Sequence, residues 1–132
     1  MIKSVFCWTD RHDVSSEECQ AHYEQVHMKL AQKAFKGVPG FRGLVYNRIR
    51  SATVNDFNRR EPREIRPDID GFVELWFDDE ETLAASFDKP EMAALFEDHK
   101  NFMSIDIVAN VRAYRVEETT ILGAPATGPN AS

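Results

Sequence analysis

The segment Gly71–Phe77, GFVELWF, constrains the fold more than any other part of the chain. It alternates as a β-strand does, yet both faces are apolar. Val73, Leu75 and Phe77 fall on one side; Phe72 and Trp76 fall on the other, with Glu74 between them. Such a strand belongs inside a sheet that is covered on both faces. Ile2–Trp8 repeats the pattern, with Ile2, Phe6 and Trp8 on one face and Val5 and Cys7 on the other. Phe41–Ile49 is rich in β-forming residues, and a closing strand is expected within Asp106–Glu118.

Two helical stretches separate these strands. Ser15 stands three residues before Glu18, a capping-box spacing, and predicts a helix running to about Phe35, where Gly37 and Pro39 stop it. Asp78 and Glu81 repeat the spacing and open a second helical region, Glu80 to Phe102, which Pro90 divides. The order β-α-β-β-α-β is the split βαβ, or ferredoxin-like, arrangement: an α+β fold with one antiparallel sheet and the helices on one face. The helices leave the second face bare. A large apolar sheet face is unstable against water, so the pattern predicts a homodimer closed through the faces bearing Phe72 and Trp76, with a cavity enclosed between them. The domain is expected to span residues 1–118, followed by a flexible tail, 119–132, without apolar periodicity.

Composition narrows the function classes. A chain of 132 residues with 42% hydrophobic content suits one globular domain, and a net charge of -6 argues against nucleic-acid binding. No apolar stretch is long enough to span a membrane or serve as a signal peptide, so a soluble cytoplasmic protein is expected. Cys7 and Cys19 lack zinc-site spacing; a disulfide between them is possible, but a domain of this size does not need one. The four histidines form no metal-binding pattern, and neither a phosphate loop nor a nucleophile elbow is present. No metal and no cofactor are expected.

The chemistry must then come from ordinary side chains. On a helical wheel of about 100° per residue, Cys19, Tyr23, Leu30 and Ala34 define the inward stripe. His27 falls on one edge of that stripe and His22 on the opposite edge. A histidine at such an edge can be a packing residue, or it can reach a pocket and exchange protons near neutral pH. Tyr23, one turn before His27, reads as a core aromatic or as a partner in the same pocket. Glu74 reads either as a site carboxylate or as the partner of an arginine on the last strand. Asp98, four residues before Phe102, is a surface acid or an orienter of His27. The segment Arg48–Arg66 holds six of the ten arginines and little apparent secondary structure; it is a solvated loop or a lid over a pocket for acidic ligands.

The stretches SSEECQAHYEQVHMKLAQKAFKGVPGFRGLVYNRI, DIDGFVELWFDDEETLAASFDKPEMAALFEDHKNFM and RAYRVEE together resemble the EthD family of dimeric α+β barrel proteins. The resemblance covers Ile2 to about Glu118, and Tyr23 and His27 occupy the family's aromatic and histidine positions. It implies a homodimer with one small-molecule pocket per subunit, between sheet and helices. Related families include methylmuconolactone isomerases, fungal polyketide decarboxylases and cyclases, and cofactor-free oxygenases of aromatic polyketides. What the resemblance implies is a cofactor-independent lyase or isomerase with His27, Tyr23 and Asp98 catalytic. Phe72, Glu74, Trp76, His99 and Phe102 are expected to bind substrate. A cofactor-free oxygenase and a non-catalytic binding protein are the alternatives.

Overall fold

A computed structural model of the chain describes residues 1–55, 61–104 and 111–123. Strand β1 (Ile2–Trp8) leads into one continuous helical run made of α1 (Ser16–His22), a π-helical turn (Tyr23–His27) and α2 (Met28–Phe35). Next come β2 (Phe41–Arg48), a small hairpin of β3 (Ala52–Val54) and β4 (Arg63–Ile65), and β5 (Gly71–Phe77). Then follow α3 (Glu80–Ser86), α4 (Pro90–Asp98), a short 3₁₀ turn (His99–Asn101) and β6 (Val111–Val116). The main sheet has the order β2-β5-β1-β6 with every neighbour antiparallel. This is the expected ferredoxin-like α+β fold. None of the described helices is long and apolar enough to cross a membrane.

Local chemistry explains the element ends. Ser15 Oγ accepts the Glu18 backbone N–H at 3.1 Å and starts α1. The second helical region begins at Glu80 as expected, but its cap is Asp79 rather than Asp78. Asp79 caps α3 in a reciprocal box with Thr82, because Asp78 turns its carboxylate to Arg42 at 2.5 Å. Pro90 sits in the first turn of α4, where its missing N–H costs no helical hydrogen bond. Gly40 is required where β2 begins: its φ is +79°, and a Cβ there would lie 2.5 Å from Thr82.

The Arg48–Arg66 segment is more ordered than its sequence suggests, since β3 and β4 pair through Ala52–Ile65, Thr53–Glu64 and Val54–Arg63. Of the closing strand expected within Asp106–Glu118, Val111–Val116 forms β6; residues 105–110 lie outside the described residues, as do 56–60. Residues 117–123 carry no helix or strand, and the rest of the expected tail is likewise outside the described residues.

The sheet's two faces differ. Ile2, Leu44, Leu75 and Phe77 pack under the helices in one apolar cluster with Phe35, Leu83, Met92 and Leu95. A second cluster joins Trp8, Cys19, Tyr23, Phe102 and Met103. Trp8 pairs with Gly71 across β1 and β5, and a Cβ on Gly71 would come within 2.7 Å of the indole. Gly71 thereby makes room for the Trp8 ring. The far face carries Val45, Glu74, Val5 and Tyr114 in one cross-strand row and Asn47, Phe72, Cys7 and Arg112 in the next. Cys7 and Cys19 are both free and buried, on opposite sides of β1, so the possible disulfide does not form.

Candidate active site

The helical run departs from α geometry at one place. The backbone N–H of Met28 bonds the carbonyl of Tyr23, five residues back, and closes a π turn. In an unbroken α-helix, residues five apart lie about 140° apart around the axis, too far to share a partner. The wider turn brings His22 and His27 to the same side. There His22 Nε2 lies 2.8 Å from Asp98 Oδ1, and His27 Nδ1 lies 2.8 Å from Asp98 Oδ2. Asn101 Nδ2 adds a third bond to Oδ1 at 2.9 Å. Asp98 is buried at the end of α4, and three donors satisfy it.

This arrangement sets the protonation states. A carboxylate only accepts, so each imidazole nitrogen facing Asp98 carries a hydrogen. His27, when neutral, is therefore the Nδ1–H tautomer with its lone pair on Nε2. Nothing among the described residues hydrogen-bonds that Nε2. Burial lowers the His27 pKa below its ordinary value, and the bond to Asp98 only partly opposes this. Burial alone would raise the Asp98 carboxyl; the bonds from Asn101, His22 and His27 outweigh it and hold the carboxyl below its usual range. Near neutral pH the pair is thus an uncharged imidazole oriented by a carboxylate.

His27 faces a cavity of about 290 Å³ between sheet and helices, lined mainly by apolar side chains. Phe102 sets its ring edge-on to His27 at 4.6 Å, and Tyr23 lies tilted against it at 4.9 Å. Tyr23 stacks in turn on Tyr46 at 4.0 Å and on Trp8 at 5.4 Å. Burial, with neighbouring Tyr46, pushes the Tyr23 phenol above its ordinary pKa, so the hydroxyl stays protonated and can donate. His99 stacks on Phe6 at 5.7 Å and lies 5.1 Å from the His27 ring. Burial and the neighbouring His27 lower the His99 pKa to about 4, which keeps it neutral as well.

Five of the eight residues expected at the site come together: Tyr23, His27, Asp98, His99 and Phe102. Phe72, Glu74 and Trp76 do not. The cavity is lined by Val73 and Leu75, their neighbours in β5, and alternation sends Phe72, Glu74 and Trp76 to the opposite face. Glu74 bonds Lys3 Nζ at 2.6 Å and Asn47 Nδ2 at 2.9 Å, so its partner is a lysine on β1 rather than an arginine on β6. Trp76 is buried beneath Lys3, and its Nε1 donates to Glu118 at 3.3 Å. Asn101 was not singled out from the sequence, and His22 was placed on an edge of the inward stripe but given no role at the site. The five-residue spacing of the histidines, the π-helical repeat, and the three-residue spacing of Asp98 and Asn101 are the signals that mark them. Of the described residues in the arginine-rich segment after Arg48, none lines the cavity.

The EthD domain model matches residues 11–106, nearly three quarters of the chain. The protein belongs to the EthD domain family. Solved structures repeat its fold. An ethyl tert-butyl ether D (EthD) family protein from Bacillus halodurans is 18% identical with a TM-score of 0.59, over 90% of this chain and 100% of that one. A dimeric ferredoxin-like protein of unknown function from Thermobifida fusca is 12% identical with a TM-score of 0.57, over 87% and 88%. A variant of SnoaB, a cofactor-independent oxygenase from Streptomyces nogalater, is 10% identical with a TM-score of 0.55, over 93% and 97%. At these identities the likeness establishes the fold that this EthD protein shares with them. No curated protein gives a significant match.

Proposed function

We propose that this EthD protein is a cofactor-independent enzyme, a lyase or isomerase, that moves a proton on a small aromatic, polyketide or lactone substrate. The observation that carries the reading is the His27–Asp98 bond, which leaves the Nε2 lone pair of a neutral imidazole on an apolar cavity. Nε2 takes a proton from an activated C–H or O–H, and the bonding electrons stay on the substrate as an enolate or phenolate. The imidazolium so formed is stabilised by Asp98 and returns the proton to a different carbon in an isomerase. In a decarboxylase it protonates the carbanion left when CO₂ departs. Tyr23, held neutral, donates to the oxygen on which negative charge develops. A positioned base of this kind contributes roughly 10²- to 10⁴-fold in rate, enough for a substrate that carries its own electron sink.

The same base would also serve an oxygenase, by generating an electron-rich anion that reacts with O₂; the fold shared with SnoaB favours keeping this second reading. Anaerobic turnover separates the two. We also infer a homodimer formed through the far face of the sheet, supported by the row of half-buried Val45 and Val5 and exposed Tyr114 on that face and by the dimeric relative from Thermobifida fusca. The test of the enzymatic reading is turnover across enolisable lactones, β-keto acids and polyphenols. His27→Ala and His27→Gln should stay folded while turnover falls at least about a hundredfold. Full activity in either variant would return His27 to a packing role.

A further inference from the structure

The cavity has two chemically different ends. Its exposed lining residues are Phe87, Phe96, Ala113 and Arg115, which place the mouth between the α3–α4 pair and the edge strand β6. Tyr23, His27 and Phe102, all buried, form the deep end. Phe87 and Phe96 make an aromatic lip, with ring centroids 5.7 Å apart. The one cation on the described lining is Arg115.

Arg115 is held in place but not used up. It pairs with Ser4 across β1 and β6, on the helix side of the sheet, and Nη1 donates to the buried Ser4 hydroxyl at 2.9 Å. Nε donates to Glu80 Oε1 at 2.7 Å, and Nη2 has no partner among the described residues. The Arg115–Glu80 pair is open to solvent, with side-chain exposures of 47% and 61%, so it contributes little and yields readily to a competing anion. A carboxylate at this rim keeps part of its hydration and gains a planar, fork-shaped donor, whereas one driven to the deep end would lose its water to apolar walls.

The geometry points to Arg115 as the anchor for an anionic group on the substrate, with the ring seated inward against Phe102 and the reacting atom at His27. This rests on the proposed function and names its substrate class: compact aromatic or lactone acids that enter ring first. Size agrees, since a cavity of about 290 Å³ holds a one- or two-ring body rather than a long polyketide chain.

Calorimetry with 2-naphthoate and its uncharged isostere 2-naphthamide tests the anchor without relying on turnover. The wild-type protein should bind naphthoate about tenfold or more tightly than naphthamide. Arg115→Met should abolish that preference while leaving naphthamide affinity within about twofold, and Glu80→Gln, which frees the guanidinium, should tighten naphthoate. His27→Ala should keep the preference, so a failed proton-transfer reading and a failed anchor give different results. Equal affinities in the wild type, no binding of either probe, or equal weakening of both by Arg115→Met would overturn the assignment.

Discussion

His22 and His27 stand five residues apart, yet each bonds the same carboxylate, that of Asp98, at 2.8 Å. Only the π turn between them permits this, and it makes Asp98 the hinge of the site. An Asn at position 98 offers one acceptor oxygen where two imidazoles now donate. Asp98→Asn should therefore release His27 to the wrong tautomer and lower kcat by about a hundredfold or more, with KM little changed. Steady-state kinetics on the first substrate found is the measurement. Stability should fall by on the order of 1–3 kcal/mol, as when a buried donor loses its partner.

Acid should destabilise the fold before it protonates ordinary carboxylates. His99 binds its proton with a pKa of about 4 in the native state, against 6.5 as its ordinary value. Between those limits the unfolded chain takes up a proton that the native chain refuses, so stability falls as pH drops from 6.5 to 4. His27, lowered in the same direction, adds to the loss. Asp98 contributes a further loss only as pH falls below its ordinary 3.8. Urea denaturation at pH 7 and pH 4.5 should differ by on the order of 2–3 kcal/mol, and His99→Phe should remove much of the difference.

The arginine-rich segment should prove structural at one end and dispensable at the other. Arg48 ends β2 and grips Asp10 with two bonds, at 2.9 and 2.6 Å, and both side chains are largely buried. Arg48→Met strands the Asp10 charge and should cost about 3–5 kcal/mol in a urea melt. Arg63, exposed on β4, should tolerate Ala within about 0.5 kcal/mol.

The far face of the sheet should close on a second copy. Light scattering at micromolar concentration should give twice the 15.1 kDa chain mass. Phe72→Glu, which adds a carboxylate to that face beside Glu74, should yield folded monomer. A wild-type protein that is monomeric at micromolar concentration would contradict the dimer.

Much of this was legible in the chain because period-2 and period-3.6 patterns report which face is buried. The order of strands and helices along the chain, the helix ends at Ser15 and Phe35, and the division at Pro90 follow from such local rules. What escaped was set by tertiary structure. A wheel at a fixed angle per residue separates His22 from His27 and cannot show a π turn. Phe72, Glu74 and Trp76 lie on the face away from the helices, as the alternation indicated, but two apolar faces look alike in one strand and the pattern does not tell which one holds the cavity. Only the packing of Val73 and Leu75 beneath the helices tells which face holds the cavity. The β3–β4 hairpin escaped because its strands are three residues each, too short to show a period.

The central claim is that His27 Nε2 is the base. Deuterium wash-in tests it most directly: an enolisable lactone or β-diketone that binds the cavity is incubated with the protein in D₂O and its acidic C–H signal followed by NMR. The wild type should catalyse exchange, with a rate that rises with pH and reaches half its maximum below pH 6.5, since the His27 pKa lies below its ordinary value. His27→Gln should bind the same compound and lose at least about 99% of the exchange rate. Exchange at the wild-type rate in His27→Gln would contradict the account.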